Sequence, residues 1–238
     1  MSDLTVLAAG SLRLVWEQVM AAFYQHSGIR VETQYGPAGL LRQRIEKGER
    51  CDLFASANYA HPNRLQQTGI AQRVGIFTHN QLCLCVRKHL IAPDSDWLSI
   101  LQNPRLRVAT STPESDPSGD YAWQWFDEIE QRYPGVGSAL KKRAMPLVGG
   151  SNSQPIPQGQ LAAAWLLGSG QAEVFIGYAS YAARLQAVAG VQVIMPPADC
   201  QIRADYAFAV CHPAAQPLAD FLITEPAQTL FRQAGFCD

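Results

Sequence analysis

The chain has 238 residues, 47% of them hydrophobic and 16% charged, with a formal net charge of -1, which is the composition of an ordinary folded, water-soluble protein. The near-neutral charge and the lack of a long basic run exclude a nucleic-acid surface, and apolar runs such as residues 161–167 fall far short of the roughly 20 residues that span a membrane. The length suits two lobes, each with its own core. From the N-terminus, residues 4–9 read as a buried strand that passes through Gly10-Ser11 into a helix over 12–25. Leu12, Trp16, Val19, Met20 and Phe23 share one face of that helix. Ser11 reads as the helix N-cap, where a hydroxyl sits beside unpaired N–H groups and the positive end of the helix dipole. Such a place suits an oxyanion, although for Ser11 alone the plainer reading is a cap for its own helix.

Gly28 reads as a C-cap, 29–35 alternates as a second strand, and Gly36-Pro37-Ala38-Gly39 turns into an amphipathic helix that Gly48 ends. A buried strand over 51–56 and a short helix over 59–67 follow. This strand–helix alternation implies a parallel sheet. A loop at His79-Asn80 leads to a strand over 82–87, where the second lobe begins. A helix over 96–101 and a strand over 106–110 precede a polar turn over 110–121, which opens a helix from Gly119 to about 133. A loop rich in Gly, Ser, Asn and Pro covers 146–159, then come a helix over 160–167, a strand over 173–177 ending at Tyr178, a helix over 180–188 and a strand over 191–195. The strand 204–210 returns to the first lobe, and two helices, 217–224 and 227–234, close the chain.

Four helix starts thus follow small polar turns: at Ser11, at 36–39, at Ser118-Gly119 and at Gly159-Gln160. In an open parallel sheet such starts tend to converge on a crevice at the C-terminal strand ends, and with two lobes the crevice is expected between them. Together they favour an anion site over four separate caps. Trp123 is a candidate to line it, with the helix core as the plainer place. Catalytic signatures are missing: there is no Gly-x-Ser-x-Gly elbow, no Walker A lysine motif and no Gly-x-Gly-x-x-Gly, and Gly168-Ser169-Gly170 follows a helix instead of opening one. The five histidines are scattered, and His212 beside Cys211 is best taken as a chance neighbour. No enzymatic role, cofactor or resident metal is expected. The six cysteines lack metal-ligand spacing, and Cys83-Leu84-Cys85 in a strand puts both thiols on one face. They read as buried small hydrophobes, a usage that favours a reducing compartment. Met1-Ser2-Asp3 runs straight into the first strand without an export signal.

Several segments together carry a family resemblance over almost the whole chain: Ala8-Ala9-Gly10-Ser11-Leu12, the helix 40–48 with Asp52-Leu53-Phe54-Ala55-Ser56-Ala57, the turn Asp116-Pro117-Ser118-Gly119-Asp120-Tyr121, Ile176-Gly177-Tyr178, and the closing 228–236. In these the chain resembles the periplasmic molybdate/tungstate-binding proteins of ABC importers, which have the type II periplasmic binding-protein fold. The resemblance implies an α/β, two-lobed fold of mostly parallel sheets with flanking helices and a cleft between lobes, one lobe over 1–80 and 206–238 and the other over 81–205. It implies a tetrahedral dianion, molybdate or tungstate first, held without counter-charge by hydroxyls and N–H groups.

On that pattern the ligand contacts are Ser11, the N–H groups of Ala38 and Gly39, Ser118 with Gly119, the N–H near Gln160, and the hydroxyl of Tyr178. The family's second serine falls in the turn 36–39, which has no hydroxyl, and Pro37 also lacks an N–H. Asp116 and Asp120 would oppose a dianion if they faced it. Arg42 reads as a solvated face residue with a lesser role as an anion contact. The expected partners are a small oxyanion and, if the protein is exported, the membrane subunits of an importer, with no nucleic acid and a monomeric state. The resemblance implies a periplasmic location. The missing export signal and the cysteines support a different role, a cytosolic ligand-sensing or accessory protein of the same fold.

Overall fold

Leu4, Val6, Leu7, Ala8 and Ala9 are all buried, and this apolar run forms strand β1 (Leu4–Ala9) of a computed structural model that describes residues 3–237. The chain forms two compact units, Met1–Asn80 with Ala204–Asp238, and Gln81–Arg203. In the first, β1 leads through a 3-10 turn, Gly10–Leu12, into α1 (Arg13–Ser27). Next come β2 (Val31–Gly36), α2 (Ala38–Glu46), β3 (Leu53–Ser56), α3 (Ala60–Gln67) and the first part of β4 (Arg73–Arg87). The second unit carries the rest of β4, then α4 (Trp97–Gln102), β5 (Val108–Ser111), α5 (Pro117–Arg132), α6 (Val136–Arg143) and β6 (Met145–Val148). It continues with α7 (Ala162–Gly168), β7 (Val174–Tyr178), α8 (Ala182–Gln186) and β8 (Val191–Ile194). Strand β9 (Arg203–Val210) leads back into the first unit, which α9 (Gln216–Leu222) and α10 (Glu225–Gln233) complete.

The registers decide where each unit can hold a ligand. In the first, β1 lies between parallel neighbours, with Ala9 opposite Gly36 and Ala8 opposite Ala55, so three C-terminal strand ends share one edge. The helices α1, α2 and α3 all start from that edge. Strand β3 is buried throughout and runs antiparallel to β9, with Ser56 opposite Ala207. Helix α1 buries Val15, Trp16, Val19 and Phe23 and stops at Gly28, whose φ of 69° suits glycine and whose N–H takes the Tyr24 carbonyl. In the second unit β5 lies parallel to both β6 and β7, and β7 and β8 run antiparallel to β4. Here too Ser111, Val148 and Tyr178 end on a common edge.

The α/β fold with flanking helices is as expected, but the strand pairing is mixed, not mostly parallel: β1–β2, β1–β3, β5–β6 and β5–β7 are parallel, while β3–β9, β4–β7 and β4–β8 are antiparallel. Three local expectations are corrected. His79-Asn80 is not a loop: both residues lie inside β4, where His79 exchanges backbone bonds with Cys237 and its ring pairs with Asp205 at 2.8 Å, while the Asn80 side chain is buried. The stretch 146–159 is not all loop, because β6 takes in Pro146 on an edge strand, where a missing N–H is tolerated. Helix α6 has no counterpart in the sequence reading. It packs so close to α5 that a Cβ on Gly137 would lie 1.9 Å from the Phe126 carbonyl oxygen.

Candidate functional site

In the first unit the polar groups gather where β1, β2 and β3 end. Ser11 is not the N-cap of α1: it lies in the 3-10 turn, and Leu12 holds the cap position without any side-chain bond. Its hydroxyl has another use. The Tyr206 hydroxyl donates to Ser11 Oγ at 2.8 Å, and Asn80 Nδ2 donates to the Tyr206 oxygen at 3.4 Å. Both Tyr206 and Asn80 are fully buried, so this chain of donors fixes the Ser11 oxygen and leaves the Ser11 proton to point at an acceptor.

On the same edge α2 begins at Ala38 after Pro37, with no side-chain cap. Leu41 is the first residue whose N–H reaches back, to the Pro37 carbonyl, so the N–H groups of Ala38, Gly39 and Leu40 remain as donors. Ala38 and Gly39 are buried, which raises the value of these donors to an anion. Beyond β3, Ser56 and Asn58 satisfy each other: Ser56 Oγ donates to Asn58 Oδ1 at 3.1 Å and accepts from the Asn58 N–H at 3.2 Å.

Arg42 is not a solvated face residue. It is 8% exposed, bonds Glu46 at 2.6 Å, and its Nε has no partner. His61 in the first turn of α3 also has an unpartnered ring nitrogen, Nε2. Burial, reinforced by the Arg42 charge, lowers its pKa to about 4, so it is neutral at physiological pH.

The second unit is arranged differently. Asp116 caps α5: its Oδ1 accepts the Ser118 N–H at 3.1 Å, and its carbonyl accepts the N–H groups of Gly119 at 2.8 Å and Asp120 at 3.4 Å. With Pro117 lacking an N–H, every first-turn donor of α5 is spent on Asp116. Gly119 therefore offers no N–H to a ligand, which corrects the expected contact, and Ser118 contributes only its buried hydroxyl. Asp116 is half-buried, and desolvation pushes its pKa up to about 6 against the opposing hydrogen bonds from Ser118 and Ser111. Space around it is tight. A Cβ on Gly119 would lie 2.5 Å from the Ser111 carbonyl oxygen, and one on Gly149, at φ 77°, 2.6 Å from Asp116 Oδ2.

Tyr178 is buried at the end of β7, on the edge that Ser111 also reaches. Gln160 does not open a helix: it is exposed, its N–H bonds the Pro157 carbonyl at 3.1 Å, and α7 starts at Ala162. Beside the α5 turn lies a cavity of about 410 Å³ with Thr112, Ser115, Gly150, Ser151, Asn152 and Ser153 in its wall.

Of the residues named from sequence, Ser11, Ala38 and Gly39 come together on one edge of the first unit, and Ser118, Gly119 and Tyr178 on one edge of the second. Sequence reasoning missed Tyr206, Asn80 and Asp116's role as cap. Only the last had a local signal, an Asp directly before a proline at a helix start. Among the described residues no group of three or more His, Cys, Asp or Glu side chains could hold a metal ion, and no helix is long and apolar enough to cross a membrane.

A two-unit α/β chain with donor-rich strand ends is a solute-binding architecture, and the family assignment agrees. Residues 4–237 match the model of the bacterial extracellular solute-binding protein family, and the chain belongs to that family. It is 43% identical to an uncharacterized protein of Pasteurella multocida over 97% of each chain. It is 26% identical to the molybdate-binding protein ModA of Escherichia coli, over 98% of this chain and 88% of ModA. Among solved structures, the sulfate-binding protein SubI of Mycobacterium tuberculosis shares the fold with a TM-score of 0.79 at 22% identity, over 99% of this chain and 86% of SubI.

Proposed function

We propose that this chain is the solute-binding component of an ABC importer and captures a small tetrahedral oxyanion, molybdate or tungstate first, without chemistry on the ion. The observation that carries this reading is the Tyr206 bond to Ser11, which occupies the Ser11 oxygen as acceptor and leaves its hydroxyl as a donor beside the unspent N–H groups of Ala38 and Gly39. A hydroxyl and backbone N–H groups held in place before binding suit an oxyanion because little ordering remains to be done. The Ser118 and Tyr178 hydroxyls are the donors assigned to the second unit, with Ala38 and Gly39 in place of the serine that the turn 36–39 lacks. Export to the periplasm is part of the same proposal, and the family's extracellular description supports it.

Calorimetric titration with molybdate, tungstate, sulfate and phosphate tests the reading. Micromolar or tighter binding of molybdate or tungstate is the expected result. Preference for sulfate would keep the oxyanion site and change its ion, whereas no binding of any of the four below millimolar would overturn the proposal.

A further inference from the structure

In the first unit one face of α1 meets one face of β2. Trp16 Nε1 donates to Thr33 Oγ1 at 3.1 Å, and one turn earlier the Arg13 guanidinium lies over the Tyr35 ring, its Cζ 5.0 Å from the centroid. Residues 13 and 16 share a helix face and residues 33 and 35 a strand face, so the two contacts form one row that ends at the C-terminal strand edge. Tyr35 stands opposite Ala8 in the parallel register, one residue before Gly36, and Arg13 follows Ser11 by two residues. The turns after β1 and β2 lie close together, since a Cβ on Gly10 would be 3.9 Å from the Gly36 carbonyl oxygen. Helix α1 itself has no use for a cation here. Arg13 is its first residue, at the positive end of the dipole where a positive side chain is disfavoured, and the first turn carries no acidic residue. Arg13 is exposed and, among the described residues, forms no ion pair, whereas Arg42, Arg44, Arg64 and Arg73 of the same unit each pair with a carboxylate.

We propose that Arg13, held over Tyr35, is the steering charge of this edge: it draws divalent oxyanions toward Ser11, Ala38 and Gly39 and speeds their capture without contacting the bound ion. The inference rests on the oxyanion reading above. Ser11 and the N–H groups of Ala38 and Gly39 are neutral dipoles, whose pull falls off steeply with distance. A full charge instead acts over about a Debye length, roughly 10 Å at 0.1 M salt, and its attraction for a dianion is twice that for a monoanion at the same distance. Stacking on the tyrosine keeps the guanidinium at the strand edge, where a long side chain would otherwise sweep through solvent. The arrangement separates two tasks: neutral donors hold the ion, and a charge set to one side raises the rate of its arrival.

Stopped-flow mixing with molybdate and with sulfate at low and high salt, read by tryptophan fluorescence, tests this on the native chain, Arg13→Gln and Arg13→Lys. Arg13→Gln should associate roughly three- to tenfold more slowly at low salt with its dissociation rate little changed, and the gap should close at ~0.5 M salt. Arg13→Lys keeps the charge and should keep most of the rate. An unchanged association rate in Arg13→Gln would overturn the inference and leave the oxyanion reading standing. So would a loss carried by faster dissociation, which would make Arg13 a contact of the bound ion, or a lower thermal midpoint with unchanged rates, which would make it a packing residue. Failure of molybdate, tungstate, sulfate and phosphate all to bind would remove the oxyanion reading and this inference with it.

Discussion

The Tyr206 hydroxyl stands 2.8 Å from Ser11 Oγ and donates to it, joining positions separated by 195 residues. The Tyr206 ring is held independently, edge-on to Phe77 and Phe236 at centroid distances of 6.4 and 5.3 Å. Tyr206→Phe therefore removes the donor and keeps the packing. Loss of one neutral hydrogen bond of about 1 kcal/mol predicts roughly fivefold weaker oxyanion binding. Ser11→Ala, which removes the contact itself, should cost about 1.5 to 3 kcal/mol, roughly ten- to a hundredfold. Combining the two should add little beyond Ser11→Ala, because the tyrosine acts through the serine. Calorimetry on the three variants checks this, and full additivity would contradict it.

Asp116 sets a pH dependence in the second unit. Its pKa is pushed from 3.8 up to about 6 in the folded chain, so between those values the folded state holds a proton that the unfolded state releases. Stability then falls as pH rises through this window, with the penalty absent below about 4 and full above about 6, on the order of 3 kcal/mol. Asp116→Asn keeps an N-cap residue and should remove this slope, raising stability at pH 7. Urea midpoints from pH 4 to 7 measure it.

In the first unit His61 has the opposite sign. Desolvation, then the nearby Arg42 charge, lowers its pKa from 6.5 to about 4. The unfolded state takes up the proton first, so stability is full above about 6.5 and is lost as pH falls to about 4, by on the order of 3 kcal/mol. His61→Gln should flatten that acid-side loss in the same urea series. An unchanged slope would show that the ring is protonated in the native state well above pH 4.

Gly119→Ala tests the packing behind Ser118. The new methyl would fall 2.5 Å from the Ser111 carbonyl oxygen and 2.6 Å from the Pro113 nitrogen, both backbone atoms. A destabilisation of about 2 kcal/mol or more is expected, with weaker oxyanion binding as Ser118 is displaced. Gly168→Ala is the control. Nothing lies within 4 Å of its Cβ, so its thermal midpoint should hold or rise.

The sequence made β1, the small-residue turn after it and the bare start of α2 readable, because each follows from local rules: an apolar run, a glycine, a proline without an N–H. Of the 3-10 turn at Gly10–Leu12, the sequence reading takes only Leu12 into the helix, since Leu12 continues the apolar face of Trp16 and Phe23 whichever turn carries it. Periodicity does not separate the two geometries. Asn80 and His79 looked like a loop because their partners, Tyr206, Asp205 and Cys237, lie more than a hundred residues away. The distinction between Ser118 and Gly119 was also hidden. Both N–H groups are spent on Asp116, that of Ser118 on its carboxylate and that of Gly119 on its carbonyl, so only the Ser118 hydroxyl remains to a ligand.

The two helix starts differ in how they stand when no solute is bound. At α5 the Asp116 carboxylate and carbonyl already occupy the end, so emptying the protein exposes no orphan N–H there. At α2 the donors have no such substitute and must be rehydrated whenever an ion departs. On the proposed reading, the cost of emptying falls at Ala38 and Gly39, whose buried N–H groups pass from ion to water while the end of α5 stays as it is.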